Sequence, residues 1–521
     1  MFRFTVCHKS SLGFPHQFWH VAFVHSYKKN IVLVIGGLLL VRLLGLIVSP
    51  LGLHGDEAQY WDWSKNLDWG YFTKPPMIAW VIAATTSVFG DAEWAIRLSS
   101  PILHSITAYV IFCTGRVLYD GRSGFWAAII YLLMPALWLS SGIVSTDVPL
   151  LLSWAVALNA WAHIRQQITW SRAIQLGLSV GLGILSKYAM LFFLPALAIA
   201  FIFDGATRKN LHSFKGYIAG FITLLITTPN IFWNINHDFA TLTHTAANAR
   251  IGVGPLFNPE EVFTFWLDQL GVFGPVIFIL LCLTVIAALR SKLDEPSKWL
   301  SLFVLSPLLI ISLEALLSRA NANWAVSAYI AAPLLTAHYV LKYWNTLKIW
   351  LLAGLGFQTV ISAVFTGIML SPSLTDKTGM ANSVKHLRAW PTTVAELEEI
   401  LKSGHKGDMF QSVATDKRII FYSLNYYGLN DTTPLKMWRK NTHPEHQADL
   451  QYPLKATDGP VLIINYYSPD VKPGQQDYAQ YFREDFARLE KLPPIDIDLG
   501  GGKRRKFTLW VGYNYTPTQS R

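Results

Sequence analysis

The feature that most constrains this chain is a succession of long apolar runs, near residues 30–49, 98–118, 123–141, 147–163, 172–186, 188–203, 213–233, 262–289, 299–317, 322–341 and 347–370. A membrane-crossing helix needs about 20 predominantly apolar residues, so these runs predict a mainly α, polytopic membrane protein of about eleven transmembrane helices. Composition agrees: 52% of the 521 residues are hydrophobic and only 15% are charged, against roughly 25% charged in soluble domains. A formal net charge of +10 would suggest a nucleic-acid partner in a soluble chain. Here the basic residues fall in short loops between apolar runs, as membrane orientation requires, so no nucleic-acid partner is expected. Cys7, Cys113 and Cys282 lack the paired spacing of a metal site or a disulfide framework and read as packing residues.

With the N-terminus cytoplasmic, fourteen basic residues from Lys28 to Lys348 lie in cytoplasmic loops. Only six (Lys65, Lys74, Arg97, Lys187, Arg250 and Arg319) lie in the opposite ones. That asymmetry places the loop 50–97 and the C-terminus outside. Residues 1–29 read as a cytoplasmic tail without a signal-peptide pattern, and residues 30–370 as the membrane domain. From residue 371 polar and Pro-rich segments replace the apolar runs. β-like stretches at 418–424, 461–467 and 506–513 predict a periplasmic α/β domain over 371–521. No internal repeat is evident, which weakens an inverted-repeat transporter architecture.

One polar stretch interrupts this pattern. Residues 53–77, LHGDEAQYWDWSKNLDWGYFTKPPM, gather acids, aromatics, a lysine and a Pro-Pro pair directly after the first apolar run. Charge at a bilayer interface is kept for a reason, so Asp56 and Glu57 are the first candidates for chemistry. Arg42 lies within the first run and needs a buried partner there, an outer-loop acid being one option. Trp61, Trp63, Trp69, Trp80 and Trp94 read mostly as an interfacial aromatic belt, with one or two reaching a sugar.

The run GDEAQYWDWSKNLDWGYFTKPPMIAWV and the FGDAEWAIRL after it resemble the first outer loop of the polyprenyl-phosphate-sugar-dependent GT-C glycosyltransferases. These are bacterial relatives of the protein O-mannosyltransferases and include the enzyme that adds aminoarabinose to lipid A. STDVPLLLSWAVAL, GLGILSKYAMLFFLPAL, PNIFWNINHDFATLTH and NANWAVSAYIAAPLL resemble later blocks of that family, in order over most of residues 50–340. The resemblance implies a helical membrane domain that moves one sugar from a polyprenyl (undecaprenyl) phosphate to an acceptor on the non-cytoplasmic face of a bacterial inner membrane, with inversion. The acceptor is lipid A or lipopolysaccharide first, then another glycan or a protein hydroxyl. A flippase of lipid-linked sugars would share the helices but should carry its charges near midspan, whereas these collect at the outer ends.

The resemblance also assigns candidate residues. Asp56 matches the acid of the family's loop motif: a general base toward a hydroxyl acceptor, a sugar-orienting carboxylate toward a phosphate, or simply a helix N-cap. Glu57 binds substrate, binds a divalent cation or faces water; no cofactor is otherwise called for. Asp147 matches a second outer acid converging on Asp56, with a cap before Pro149 as its alternative. Lys74 matches the position that meets the carrier phosphate, where a lysine acts as a point charge. Lys187 and Arg319 are further phosphate candidates, and Tyr60 and Tyr71 further substrate contacts. His237, Asp238 and His244 lack a zinc spacing and read as structural.

Overall fold

A computed structural model describes residues 16–249, 257–441, 443–467 and 479–517; Cys7 and Arg250 lie outside them. The chain is mostly helical. Among the described residues five single helices are long and apolar enough to cross a membrane: Tyr27–Val48, Glu93–Leu118, Phe214–Asn236, Glu295–Leu317 and Trp344–Leu370. Two bent pairs, Tyr188–Phe203 with Gly205–Leu211 (102°) and Pro259–Phe273 with Pro275–Leu289 (112°), raise the number to seven if each is one span. The expected eleven runs are therefore all helical but not all simple spans. The run near 123–141 breaks before Pro135 into Gly121–Leu133 and Pro135–Ser140. Trp170–Ser186 is 17 residues long and Ala328–Lys342 only 15. In the run 262–289, Gly274 at φ 88° and Pro275 at the start of the next helix impose the bend.

Arg42 meets its need for a partner without an acid. Its Nη2 donates to the Leu132 carbonyl at 2.7 Å, and its guanidinium lies 4.7 Å above the Trp138 ring.

Beyond Leu370 short helices precede a five-stranded sheet of β1 (Ser412–Thr415), β2 (Leu435–Met437), β3 (Val461–Tyr467), β4 (Phe486–Gly500) and β5 (Lys503–Tyr515), in the order β2-β1-β3-β5-β4. β1 pairs in parallel with β2 and β3, whereas β5 runs antiparallel to β3 and β4. The β4–β5 turn is made by Gly500, Gly501 and Gly502, all at positive φ, where a side chain would be strained. The expected strands at 461–467 and 506–513 lie in β3 and β5. The expected strand at 418–424 is instead the helix Arg418–Tyr426, a short apolar run that periodicity cannot assign.

The loop 50–97 is not a free connection. Leu53, Ala58, Trp63, Tyr71, Ile78 and Val144 belong to the same hydrophobic core as Trp390, Leu397, Phe421, Leu462, Ile497 and Phe507 of the C-terminal part. Each large apolar side chain buried there contributes about 1.5–3 kcal/mol, so the loop 50–97 and the sheet stand as one packed unit. Gly55 is needed at this seam, because a Cβ there would sit 2.2 Å from Ile419 Cγ2.

A buried acid also crosses the seam. Asp62 Oδ1 accepts from Asn425 Nδ2 at 2.8 Å and from the Tyr452 hydroxyl at 3.2 Å. Burial pushes its carboxyl up to about 6, although Tyr452 and Asn425 pull the other way. The folded protein thus favours the protonated acid, so the cost of ionising Asp62 is absent at low pH, grows as pH rises above 3.8 and is complete above about 6. Asp62→Asn keeps the acceptor and removes the charge. It is expected to stabilise the seam by about 1–3 kcal/mol at pH 8 and to change little at pH 4, measured by thermal unfolding at both pH values.

Candidate active site

The helix Gly55–Lys65 starts at His54, whose extended backbone and Nδ1 cap the first turn: the Asp56 N–H donates to Nδ1 at 3.2 Å. The cap is therefore His54 and not Asp56, which leaves the Asp56 carboxylate for other partners. Glu57 closes the capping box, accepting from the His54 N–H at 2.9 Å through Oε2. Its Oε1 also accepts from the Val144 N–H at 2.9 Å, and Arg97 grips both oxygens, Nε to Oε1 at 2.8 Å and Nη2 to Oε2 at 2.6 Å. Arg97 also donates through Nη1 and Nη2 to the carbonyls of Leu51 and Gly52. Burial alone would raise the Glu57 carboxyl, but Arg97 and the two backbone donors outweigh it and hold it below the usual range. With both oxygens occupied and the side chain 3% exposed, Glu57 neither faces water nor has room to ligate a cation; it clasps the loop.

Asp56 sits one residue earlier and half-exposed. Its Oδ1 accepts from Arg418 Nη1 at 2.9 Å, and the same nitrogen bonds the Gln59 Oε1. Asp147, at the start of the helix Asp147–Gln166, accepts from Lys187 Nζ at 2.7 Å and from Asn323 Nδ2 at 3.2 Å. Lys74 lies in a turn closed by reciprocal backbone bonds between Tyr71 and Lys74 at 3.1 and 3.3 Å. Burial, then the neighbouring Lys187 cation, pulls its ammonium below the ordinary lysine value, against the pull of Asp147 and Asp56. Asp56, Asp147, Lys74 and Lys187 thus share one electrostatic neighbourhood. Tyr60 joins it: burial pushes its phenol up, and the nearby Asp56 adds to that, so it remains a protonated donor.

Lys74 and Lys187 stand at a cavity of about 810 Å³ whose other walls are mostly apolar, including Ile184, Leu191, Phe192, Ile231, Leu242 and Leu313. Leu191, Ile231, Leu242 and Leu313 are between 45% and 57% exposed, so this apolar wall of the cavity is open at the protein surface.

Other candidates go elsewhere. The Tyr71 hydroxyl donates to the carbonyls of Trp63 and Asn66 at 3.0 Å, and its ring stacks on Trp63 at 4.5 Å, so it shapes the loop. Arg319 follows the helix Glu295–Leu317 within electrostatic reach of Glu314 and is not a cavity wall; Asn323 is the residue of that loop that reaches Asp147. Of the tryptophans, Trp324 lines the cavity, whereas Trp61, Trp63, Trp69, Trp80 and Trp94 do not. His237 stacks on Trp233 and bonds its carbonyl at 2.8 Å. Among the described residues no three of His, Cys, Asp or Glu are grouped to hold a metal. Arg418 carries no local sequence signal: its partner Asp56 is 362 residues away.

A helical membrane body whose loop 50–97 packs on a C-terminal sheet, and whose largely apolar cavity is lined by Lys74 and Lys187, is the GT-C architecture. ArnT of Cupriavidus metallidurans, in its crystal structure with undecaprenyl phosphate, matches this fold at a TM-score of 0.64 and 15% identity, over 92% of this chain and 98% of that one. The family model for dolichyl-phosphate-mannose-protein mannosyltransferases matches residues 73–233. A lipid A galacturonosyltransferase of Rhizobium johnstonii is 37% identical over 317 residues, 60% of this chain and 66% of that protein. An undecaprenyl phosphate-α-4-amino-4-deoxy-L-arabinose arabinosyl transferase of Pseudomonas savastanoi is 28% identical over 306 residues, 53% of this chain and 56% of that one. This chain belongs to the GT-C glycosyltransferase superfamily. The matched region spans between about half and two thirds of these relatives' length.

Proposed function

We propose that this protein is a bacterial inner-membrane glycosyltransferase that moves a monosaccharide from a polyprenyl phosphate, undecaprenyl phosphate first, to lipid A or lipopolysaccharide on the periplasmic side. The observation that carries this reading is the largely apolar cavity, open at the protein surface, that Lys74 and Lys187 line. A polyprenyl chain fits the apolar walls, and its phosphate fits the ammonium groups at the end. The basic-residue asymmetry of the loops supports the periplasmic side. The relative at 37% identity makes a uronic acid the first sugar to try.

In this reading Asp147 and Lys187 neutralise one another, and Arg418 faces Asp56. Lys74 then supplies the charge for a phosphodiester of one negative charge. As the glycosidic bond breaks, the anomeric carbon gains oxocarbenium character and the phosphate gains negative charge, which Lys74 stabilises beside the neutral Lys187–Asp147 pair. Asp56 takes the proton of an acceptor hydroxyl that attacks from the face opposite the phosphate, so the anomeric centre inverts. Asp147, with Asn323, orients the sugar and supports its developing positive charge.

The test is mass spectrometry of lipid A and lipopolysaccharide from cells with the intact gene, without it, and complemented with Asp56→Asn at matched protein levels. Loss of one sugar mass on deletion, restored by the intact protein and not by Asp56→Asn, is the expected result. An unchanged lipid A and lipopolysaccharide profile on deletion overturns the acceptor, and full restoration by Asp56→Asn overturns the base.

A further inference from the structure

The acid assigned to proton transfer is held by a residue from the far end of the chain. We propose that Arg418 is a positioning residue of the active site: from a helix of the C-terminal part it fixes the Asp56 carboxylate and, through Gln59 and Thr73, the turn that presents Lys74. This rests on the function proposed above.

The network is short and partly enclosed. Arg418 Nη1 reaches Asp56 Oδ1 at 2.9 Å and the oxygen of Gln59; Gln59 Nε2 donates to Thr73 Oγ1 at 3.3 Å, and Thr73 precedes Lys74. Gln59 is 0% and Thr73 5% exposed, so both links lie out of water, where polar contacts are stronger and more directional. The same turn is held from the C-terminal side a second time, since the Phe72 N–H donates to Gln447 Oε1 at 2.9 Å.

Arg418 is itself well placed to be rigid. It opens the helix Arg418–Tyr426 just after β1, at the C-terminal edge of the parallel strands, where α/β sheets position functional groups. The next residue, Ile419, is locked against Gly55 at the start of the Asp56 helix. Two imidazoles stand nearby without adding charge: burial takes His244 down to about 4 and His446 down to about 3, and Arg418 pushes both the same way.

Stability does not account for the pair. With side chains 29% and 42% exposed, Arg418 and Asp56 form an ion pair of the kind that contributes almost nothing to folding. Its effect falls on orientation, where a misplacement of about 1 Å costs about 10²-fold in rate.

The experiment uses the full-length protein in nanodiscs, with undecaprenyl phosphate as binding probe, and in parallel the in-cell lipid A readout. Arg418→Ala is expected to lower sugar transfer about 10²-fold while binding of undecaprenyl phosphate changes less than about threefold, because the cavity remains and the Phe72–Gln447 and Tyr71–Lys74 bonds still hold the lysine's turn. Guanidinium ion at millimolar concentration is expected to recover at least about tenfold of the lost rate, ammonium ion not, and Arg418→Lys less than guanidinium. Those recoveries distinguish positioning from a merely structural role. Arg418→Ala within threefold of the intact protein, beside an inactive Asp56→Asn, overturns this inference alone. So does a loss that guanidinium leaves untouched and that comes with faster proteolysis of the C-terminal part. If the intact chain neither binds undecaprenyl phosphate nor alters any envelope lipid, the functional reading falls and this inference with it.

Discussion

Lys74→Ala is expected to lower sugar transfer by about 10²–10³-fold, the usual consequence of deleting one preorganised group facing developing negative charge. The lysine sits at the mouth of an apolar cavity, and its cationic neighbours are engaged, Lys187 with Asp147 and Arg418 with Asp56. Binding of undecaprenyl phosphate should weaken in the same variant, in contrast to Arg418→Ala. Lys74→Arg keeps the charge but spreads it over a planar fork in place of a point charge, and is expected to retain binding better than turnover. Because burial and Lys187 lower the Lys74 value, its charge is lost at a pH below the 10.5 of an ordinary lysine. The rate should accordingly decline as pH rises toward that value, and earlier in the free protein than with donor bound. Initial rates and probe binding across pH check all three statements; a Lys74→Ala protein with unimpaired turnover would remove the phosphate role.

Glu57→Gln is expected to act on the fold. It leaves the Arg97 guanidinium, 4% exposed, without its counter-charge, and breaking one side of a buried, hydrogen-bonded pair costs about 3–5 kcal/mol. The protein should accumulate poorly and unfold at lower temperature, whereas Asp56→Asn, one residue away, should accumulate normally. The depressed Glu57 carboxyl gives the sign of the pH effect: its contribution is fully present above pH 4.5 and is lost as pH falls below it. Thermal unfolding of both variants between pH 4 and 8 measures this.

The contrast between neighbours shows what the sequence could and could not reveal. Helix positions were legible, because a run of some 20 apolar residues has few alternatives. The breaks at Pro135 and at Gly274–Pro275 were not, since proline and glycine are tolerated inside membrane helices and hydropathy alone does not register a 112° bend. That Lys74, Asp147 and Lys187 lie near Asp56 matches the order of the motif blocks. The division of labour between Asp56 and Glu57 was invisible, because it depends on Arg97 and Val144, which only the fold brings to Glu57. Arg418 was missed for two reasons. RIIFYSL reads equally well as strand or helix, and nothing local connects an arginine to an acid 362 residues away.

The core shared by the loop 50–97 and the C-terminal sheet has a consequence for how the protein matures. Ribosomes deliver the loop several hundred residues before β1 to β5, so Trp63, Tyr71 and Ile78 wait without the partners that will cover them. The core around the loop is complete only when these strands arrive. A chain cut short before β1 lacks Arg418 and Gln447, so on the function proposed above truncated products in the membrane are expected to be silent.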